Sequence, residues 1–354
     1  MGSRTIATAA LGGATVALSV VLARRRYRAP DLTGRVALVT GGSRGLGLAI
    51  ARELVHCGAA VAICARNRTQ VDAAAAELRA LGGEALGEVC DVADPDEAAG
   101  LVDRVVDWKG GLDIVVANAG TLAVGPLPTQ DTSELEHALD VMLWGAWHPI
   151  TAALGPLRRS PSPRIAVVSS IGGKLPVPHL LAYGVAKHAA VGLAETLRAE
   201  LAAEGIPVTT VVPGLMRTGS HLHARMRGRP SAQFRWFGLG AVTPGLSMRA
   251  DRAARRAVAG LARGDAELLL GLPTHVAVRA HGLAPGLGAR LGALVQRGLP
   301  DVDPEDGPEP RAGASAHRDD GEARGVRGVD TAPGRGLLGR LGRGPARRHR
   351  QHTT

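Results

Sequence analysis

The chain has 354 residues, 45 % of them apolar and only 2 % aromatic, with a formal net charge of +10. The apolar share is enough for a proper core, which Ala, Val, Leu and Ile must fill in place of rings. Lysine occurs only at Lys109, Lys174 and Lys187, so the charge is almost all arginine; a coding bias explains it as well as a polyanionic partner, and a nucleic-acid or membrane-surface protein led by the basic tail is a weak alternative, because that tail lacks the interleaved aromatics of a single-strand binder.

Residues Ile6–Ala23 carry no charge and are followed by Arg24, Arg25, Arg26 and Arg28. Eighteen residues of helix rise about 27 Å, enough to cross a hydrocarbon core. The heavier charge comes after the apolar stretch, unlike a cleaved signal peptide, so residues 1–28 read as a transmembrane anchor with a basic stop. The positive-inside rule then leaves the remainder in the cytoplasm, and residues 6–23 in a lipid bilayer. Because the stretch is rich in Ala, Gly and Thr, a peripheral N-terminus is the alternative.

Residues 34–271 alternate aliphatic runs with helix-length segments. Strands are predicted at Arg35–Thr40, Ala59–Ala65, Glu84–Cys90, Leu112–Ala117, Arg164–Ser169, Pro207–Val212 and Glu267–Leu270. Helices are predicted at Gly47–His56, Arg68–Leu81, Pro95–Val106, Glu134–Leu157, Ala182–Ala203 and Ala250–Ala262. Strands spaced by helices make right-handed βαβ units, hence an α/β fold with a doubly wound parallel sheet of about seven strands. Cys57, Cys64 and Cys90 fall in apolar or strand-like settings with no CxxC pair or neighbouring His, which predicts buried, reduced thiols and no metal site.

The first strand runs into Thr40-Gly41-Gly42-Ser43-Arg44-Gly45-Leu46-Gly47 and then a helix. Glycines there let the backbone turn tightly and approach a pyrophosphate held on the helix N-terminus. With 48 glycines in the chain the spacing alone is weak, and its strand-before, helix-after setting carries the weight. The second strand ends in Ala65-Arg66-Asn67-Arg68, with no acid to take the ribose hydroxyls of NAD. Arg66, joined by Arg44 from the loop, points to the extra phosphate of NADP, with NAD the lesser choice. A plain solvated helix start is the other reading of Arg66 and Arg68.

Tyr183 and Lys187 lie four residues apart on a predicted helix and share a face. With two tyrosines and three lysines in the chain, chance gives such a pair in about two chains per hundred. A phenol titrates near ~10; an ammonium beside it is expected to lower that value, fitting Tyr183 for proton exchange with a substrate oxygen. Ser170 ends the run Ile165–Ser169, at the strand edge where open α/β sheets bind ligands.

Together these residues resemble the short-chain dehydrogenase/reductase family. The resemblance spans roughly residues 34–271 and rests on Thr40-Gly41-x-x-x-Gly45-x-Gly47, Asp91, Asn118-Ala119-Gly120, Ser170, Tyr183-x-x-x-Lys187 and Pro213-Gly214. It implies a Rossmann-like catalytic domain and hydride transfer between a nicotinamide and a carbinol or carbonyl carbon. By the same resemblance, Asp91 meets the adenine amine and Asn118, Ala119 and Gly120 brace the central strand. Ser170 holds the substrate oxygen, Tyr183 exchanges the proton, and Lys187 also binds the nicotinamide ribose. Pro213 to Thr218 line the nicotinamide, and a homo-oligomer is expected. One position departs: where the family has Asn in a Val-Asn-x-x-Gly-like stretch, this chain reads Val141-Met142-Leu143-Trp144-Gly145. Methionine cannot support a water as an amide does. Either a backbone carbonyl suffices, or turnover is slowed, or the protein is a catalytically weak NADP-binding sensor.

Residues 219–245 hold Met226, Phe234, Trp236 and Phe237, which suggests a hydrophobic lid or, equally, a core-packing insert. Beside an anchor, a lid suits a lipophilic alcohol or ketone. Arg225, Arg227, Arg229 and Arg235 are candidates for anionic lipid headgroups, and His179, His221 and His223 border the expected pocket. Residues 272–300 follow helical spacing through Leu283, Leu287, Leu291 and Leu294, which predicts a surface helix packing back on the domain. Residues 301–354 are Pro-, Gly- and charge-rich and predicted disordered.

Overall fold

The computed structural model describes residues 29–218, 222–243, 247–300 and 311–312. The aliphatic runs become strands within a residue or two of the expected limits: β1 (Val36–Thr40), β2 (Ala60–Ala65), β3 (Ala85–Val89), β4 (Ile114–Ala117), β5 (Arg164–Val168), β6 (Val208–Pro213) and β7 (Glu267–Leu270). They form one seven-stranded sheet in the order β7-β6-β5-β4-β1-β2-β3, with every pairing parallel. A parallel sheet covered on both faces needs apolar side chains pointing both ways, so β1, VALVT, shows no alternation and is buried throughout.

Helices α1 (Gly45–His56), α2 (Arg68–Ala80), α3 (Pro95–Lys109), α4 (Thr132–Leu139), α5 (Gly145–Arg159), α6 (Leu181–Glu200), α7 (Pro230–Val242) and α8 (Ala250–Arg263) surround the sheet, and α9 (Leu272–Leu283) and α10 (Pro285–Gln296) follow its last strand. Leu48 and Ile50 of α1, Leu78 of α2 and Val258 of α8 share a core with Val39 and Ile63 on one face. Leu101 of α3, Ile150 and Leu157 of α5 and Ala194 of α6 share another with Leu38 and Val115 on the opposite face. The strand order reverses between β1 and β4, and a crevice opens there at the carboxyl ends of the strands.

Local signals set the limits of these elements. Asp94 caps α3 by accepting from the Asp96 and Glu97 amides, Pro95 occupies the first turn, and Gly110 ends the helix in a left-handed conformation at φ 75°. The single helix expected over Glu134–Leu157 instead comes in pieces. It starts at Thr132, because the Asp131 carboxylate caps the Glu134 amide, and a π-helical turn at Asp140–Trp144 separates α4 from α5.

Three expectations at the ends of the chain need correction or lie elsewhere. The predicted helix through Leu283–Leu294 is two helices, since Pro285 starts α10 after Ala284 leaves helical geometry at φ −141°, ψ 69°. Its leucines do not pack back on the domain; they face outward. Arg311–Ala312, inside the stretch expected to be disordered, pair antiparallel with Arg225–Met226, which pair in parallel with Ala123–Val124. That short strand had an open edge whose amide and carbonyl groups needed partners. The membrane helix expected at residues 6–23 and the rest of the tail lie outside the described residues, and among the described residues no helix is long and apolar enough to cross a membrane.

Candidate active site

The carboxyl ends of the sheet open into a cavity of about 1040 Å³, lined by Gly41, Ser43, Arg44, Gly45, Leu46, Gly47, Arg66, Asp91, Asn118, Ala119, Gly120, Ser170, Tyr183, Lys187, Pro213, Gly214 and Thr218, but not by Arg217. At its base the glycine loop follows β1. Gly41 adopts φ +62°, and a Cβ on Gly47 would lie 2.3 Å from the Gly41 oxygen, so a side chain is excluded at both positions. Arg44, the N-cap of α1, makes no side-chain cap, so the first-turn amides of that helix keep their donors for an anion. Asn118 Nδ2 donates to the Thr40 and Gly41 carbonyls at 3.0 and 3.2 Å, and the Asn118 and Ala119 amides donate to Thr40 Oγ1. These bonds tie β4 to the loop.

One end of the cavity is basic. Burial and the nearby Arg66 hold Arg44 below the usual guanidinium range, so the two cations crowd each other in the absence of an anion. Arg44 Nη1 lies 3.4 Å from His223 Nδ1, and Arg66 Nη1 lies 3.7 Å from the Asp91 carboxylate. A loop with no room for side chains, an uncapped helix start and paired guanidiniums fit a phosphorylated dinucleotide.

At the other end, α6 presents Tyr183 and Lys187 one turn apart beside the end of β5. The Tyr183 hydroxyl is hydrogen-bonded to Ser170, whose Oγ also accepts from the Gly172 amide at 3.2 Å. Ser169 Oγ donates to the Lys187 carbonyl at 2.8 Å, which pins α6 to β5. Lys187 Nζ lies 6.0 Å from the Tyr183 ring centroid and donates to the Val168 carbonyl at 2.8 Å. Burial drives Lys187 down to about 8. Burial also raises Tyr183 above the ordinary phenol value, with the Ser170 hydrogen bond pulling the other way. The lowering expected from the lysine is therefore not found: the phenol loses more by leaving water than a Lys187 turned to Val168 returns.

Met142 sits in the π-helical turn, buried with Ala138, Ala182 and Ala186. A Cβ on Gly120 would lie 3.7 Å from Met142 Sδ and 3.8 Å from Lys187 Nζ, so sulfur and ammonium flank one spot. The thioether is a weak acceptor and no donor.

The expected lid divides in two. Trp236 and Phe237 line the cavity, while Phe234 and Met226 lie beneath it in a small core with Val124, Leu180 and Ala224. Arg225 and Arg227 both bind the buried Glu134 carboxylate, Arg227 at 3.1 Å, because a carboxylate taken out of water must be paired. His223 reaches the cavity and His221 lies outside the described residues. His179 is buried at φ 64°, its ring nitrogens 3.0 Å from Gln233 Oε1 and 3.1 Å from Gln296 Nε2. Leu122, His137, Val177, Pro273 and Thr274 also line the cavity and were not foreseen. They come from loops, from the start of α9 and, for His137, from the last turn of α4, and only the folded sheet assembles them around one cavity. Burial and the nearby Arg225 hold His137 below its ordinary value.

The family model described as short chain dehydrogenase matches residues 35–226. A putative ketoacyl reductase of granaticin polyketide synthase from Streptomyces violaceoruber is 39 % identical over 191 residues, 52 % of this chain and 68 % of that protein. Human dehydrogenase/reductase SDR family member 4 is 35 % identical over 195 residues, 54 % of this chain and 69 % of that one. A 3-oxoacyl-[acyl-carrier-protein] reductase from a Synechocystis species is 33 % identical over 204 residues, 57 % and 82 % of the two chains. Among solved structures, a putative short-chain alcohol dehydrogenase from Sinorhizobium meliloti 1021 superposes with a TM-score of 0.59 at 28 % identity, covering 67 % of this chain and 95 % of its own.

Proposed function

The chain belongs to the short-chain dehydrogenase/reductase family, an NAD(P)-dependent oxidoreductase acting on CH–OH or C=O groups, and we propose that it prefers NADP(H) and works on a lipophilic alcohol or ketone. The observation carrying this reading is the hydrogen-bonded Ser170–Tyr183 pair, backed by Lys187, in the same cavity as Arg44 and Arg66. The bound nicotinamide supplies the hydride. Ser170 holds the substrate oxygen, and Tyr183 gives it a proton during reduction or takes one during oxidation. A phenol kept protonated by burial is in the state that reduction requires. Lys187, Asn118 and the glycine loop would hold the cofactor, with Asp91 available to its adenine and Thr218 to its nicotinamide end.

Arg44 and Arg66 support NADP over NAD, because their mutual repulsion is relieved by a phosphate. Leu122, Val177, Leu180, Trp236 and Phe237 support a lipophilic substrate, and relatives named for ketoacyl and 3-oxoacyl reduction make such compounds part of any panel. The uncharged stretch at residues 6–23, closed by four arginines, supports membrane anchoring with the catalytic domain on the cytoplasmic side. A homo-oligomer is in keeping with the family.

The test is oxidation of NADPH and NADH by the full chain with a panel of lipophilic ketones and 3-oxoacyl compounds. Turnover with NADPH, reduced about 10²–10⁴-fold by Tyr183→Phe, is the expected result. Tight NADPH binding without turnover on any member favours the second reading, a weak NADP-binding sensor, which Met142 supports by standing near Gly120 where the family has Asn; Met142→Asn then restores turnover.

A further inference from the structure

We propose that the α9–α10 hairpin rests on an anionic lipid surface, with the mouth of the substrate cavity at that surface. Leu272, Val276, Leu283, Leu287, Leu291 and Leu294 are between 54 and 88 % exposed, and α10 buries none of its residues. An apolar row of this extent on a helix exposed along its length marks an interaction surface.

Charge says what covers it. From Leu268 to Pro300 the sequence contains no Asp or Glu, and its cations are Arg279, Arg290 and Arg297. On α10, Leu287, Leu291 and Leu294 share one face, and Arg290 and Arg297 follow Leu287 and Leu294 by three residues, flanking the row on one side. A second copy of the hairpin would bring arginine against arginine. The uncharged segment at residues 6–23 offers those arginines no anion and ends in four arginines of its own. An anionic leaflet offers hydrocarbon to the leucines and phosphate to guanidiniums that reach sideways from an apolar face.

The hairpin also borders the cavity. Pro273 and Thr274 at the start of α9 line it, and at the far end of α10 Gln296 meets His179, whose other nitrogen meets Gln233 one turn from the cavity wall at Trp236 and Phe237. A lipophilic substrate therefore enters from the bilayer. Entry by this route rests on the oxidoreductase reading, whereas the lipid contact itself does not.

The test uses the full chain with Leu291→Cys carrying a polarity-sensitive fluorophore. Cys57, Cys64 and Cys90 are buried, so the new thiol is labelled selectively. Leu81→Cys, exposed at the end of α2 on the opposite edge of the sheet, is the control. The protein is mixed with phosphatidylcholine vesicles, with and without phosphatidylserine, containing nitroxide lipid. The expected result is a blue shift and about twofold or greater quenching at position 291 with phosphatidylserine. Position 81 shows neither, and both effects fall when Arg290 and Arg297 are changed to Glu. Vesicle-bound protein without quenching at position 291 overturns the proposal and leaves membrane contact to the N-terminal segment. Self-quenching of the label without vesicles also overturns it, in favour of a second copy. NADPH turnover in the same samples reports on the oxidoreductase reading separately.

Discussion

Folding opposes the charge on Lys187, because burial takes its ammonium out of water. Its proton is held up to 10.5 in an ordinary setting but only to about 8 in the folded, cofactor-free protein. Between those values the unfolded chain binds more protons, so this group makes stability rise with pH across the window. Below pH 8 its full cost is present, on the order of 3 kcal/mol. Lys187→Met should therefore remove this contribution to the pH dependence and melt higher than wild type at pH 7, while losing turnover; melting curves between pH 7 and 10.5 check it. Equal pH dependence in both proteins would sink the assignment. Arg44 makes a separate prediction. Arg44→Ala should weaken NADPH binding by about 10–100-fold and spare NADH, as expected for one charge-assisted contact. Titration with both cofactors decides it, and equal losses would mean that the guanidinium does not read the extra phosphate.

Among the secondary elements, α4 is held to the Arg225–Met226 strand by the buried Glu134 carboxylate, which binds Arg225 and Arg227 from opposite oxygens. Breaking such a pair from one side leaves buried charge behind. Glu134→Gln should cost about 3 kcal/mol, read as a lower melting temperature. The loss should also raise KM more than it lowers kcat, because the neighbouring strand and α7 carry the Trp236 wall rather than Tyr183. The same segment shows where periodicity misleads. Residues 134–157 have helical spacing throughout, yet a π-helical turn at Asp140–Trp144 resets the phase and turns Met142 toward Gly120, which Lys187 also approaches.

At the scale of the whole molecule, the sheet and its two cores begin at Leu32 and end with β7. Removing residues 1–28 should leave the fold and cofactor affinity intact and turn membrane association from integral to salt-extractable, as flotation with and without high salt measures. Ending the chain at Pro300 should likewise leave NADPH binding unchanged, since in the described part of the tail only the Arg311–Ala312 pairing is lost. Loss of the fold in either truncation would contradict these limits.

The sequence by itself determined the parallel sheet and the chemistry at its edge. Uninterrupted aliphatic runs suit only strands covered on both faces, and glycines at fixed spacing, Ser170 and the Tyr183–Lys187 pair are local patterns whose chemistry depends on few neighbours. Tertiary structure alone decided the rest. It set the protonation of Tyr183 and Lys187, because desolvation depends on what surrounds a group and not on its place in the chain. It turned Arg225 and Arg227 inward, because Glu134, some ninety residues away, needed partners. It left the leucines of α9 and α10 facing outward, because helical spacing marks an apolar face and does not say what that face meets.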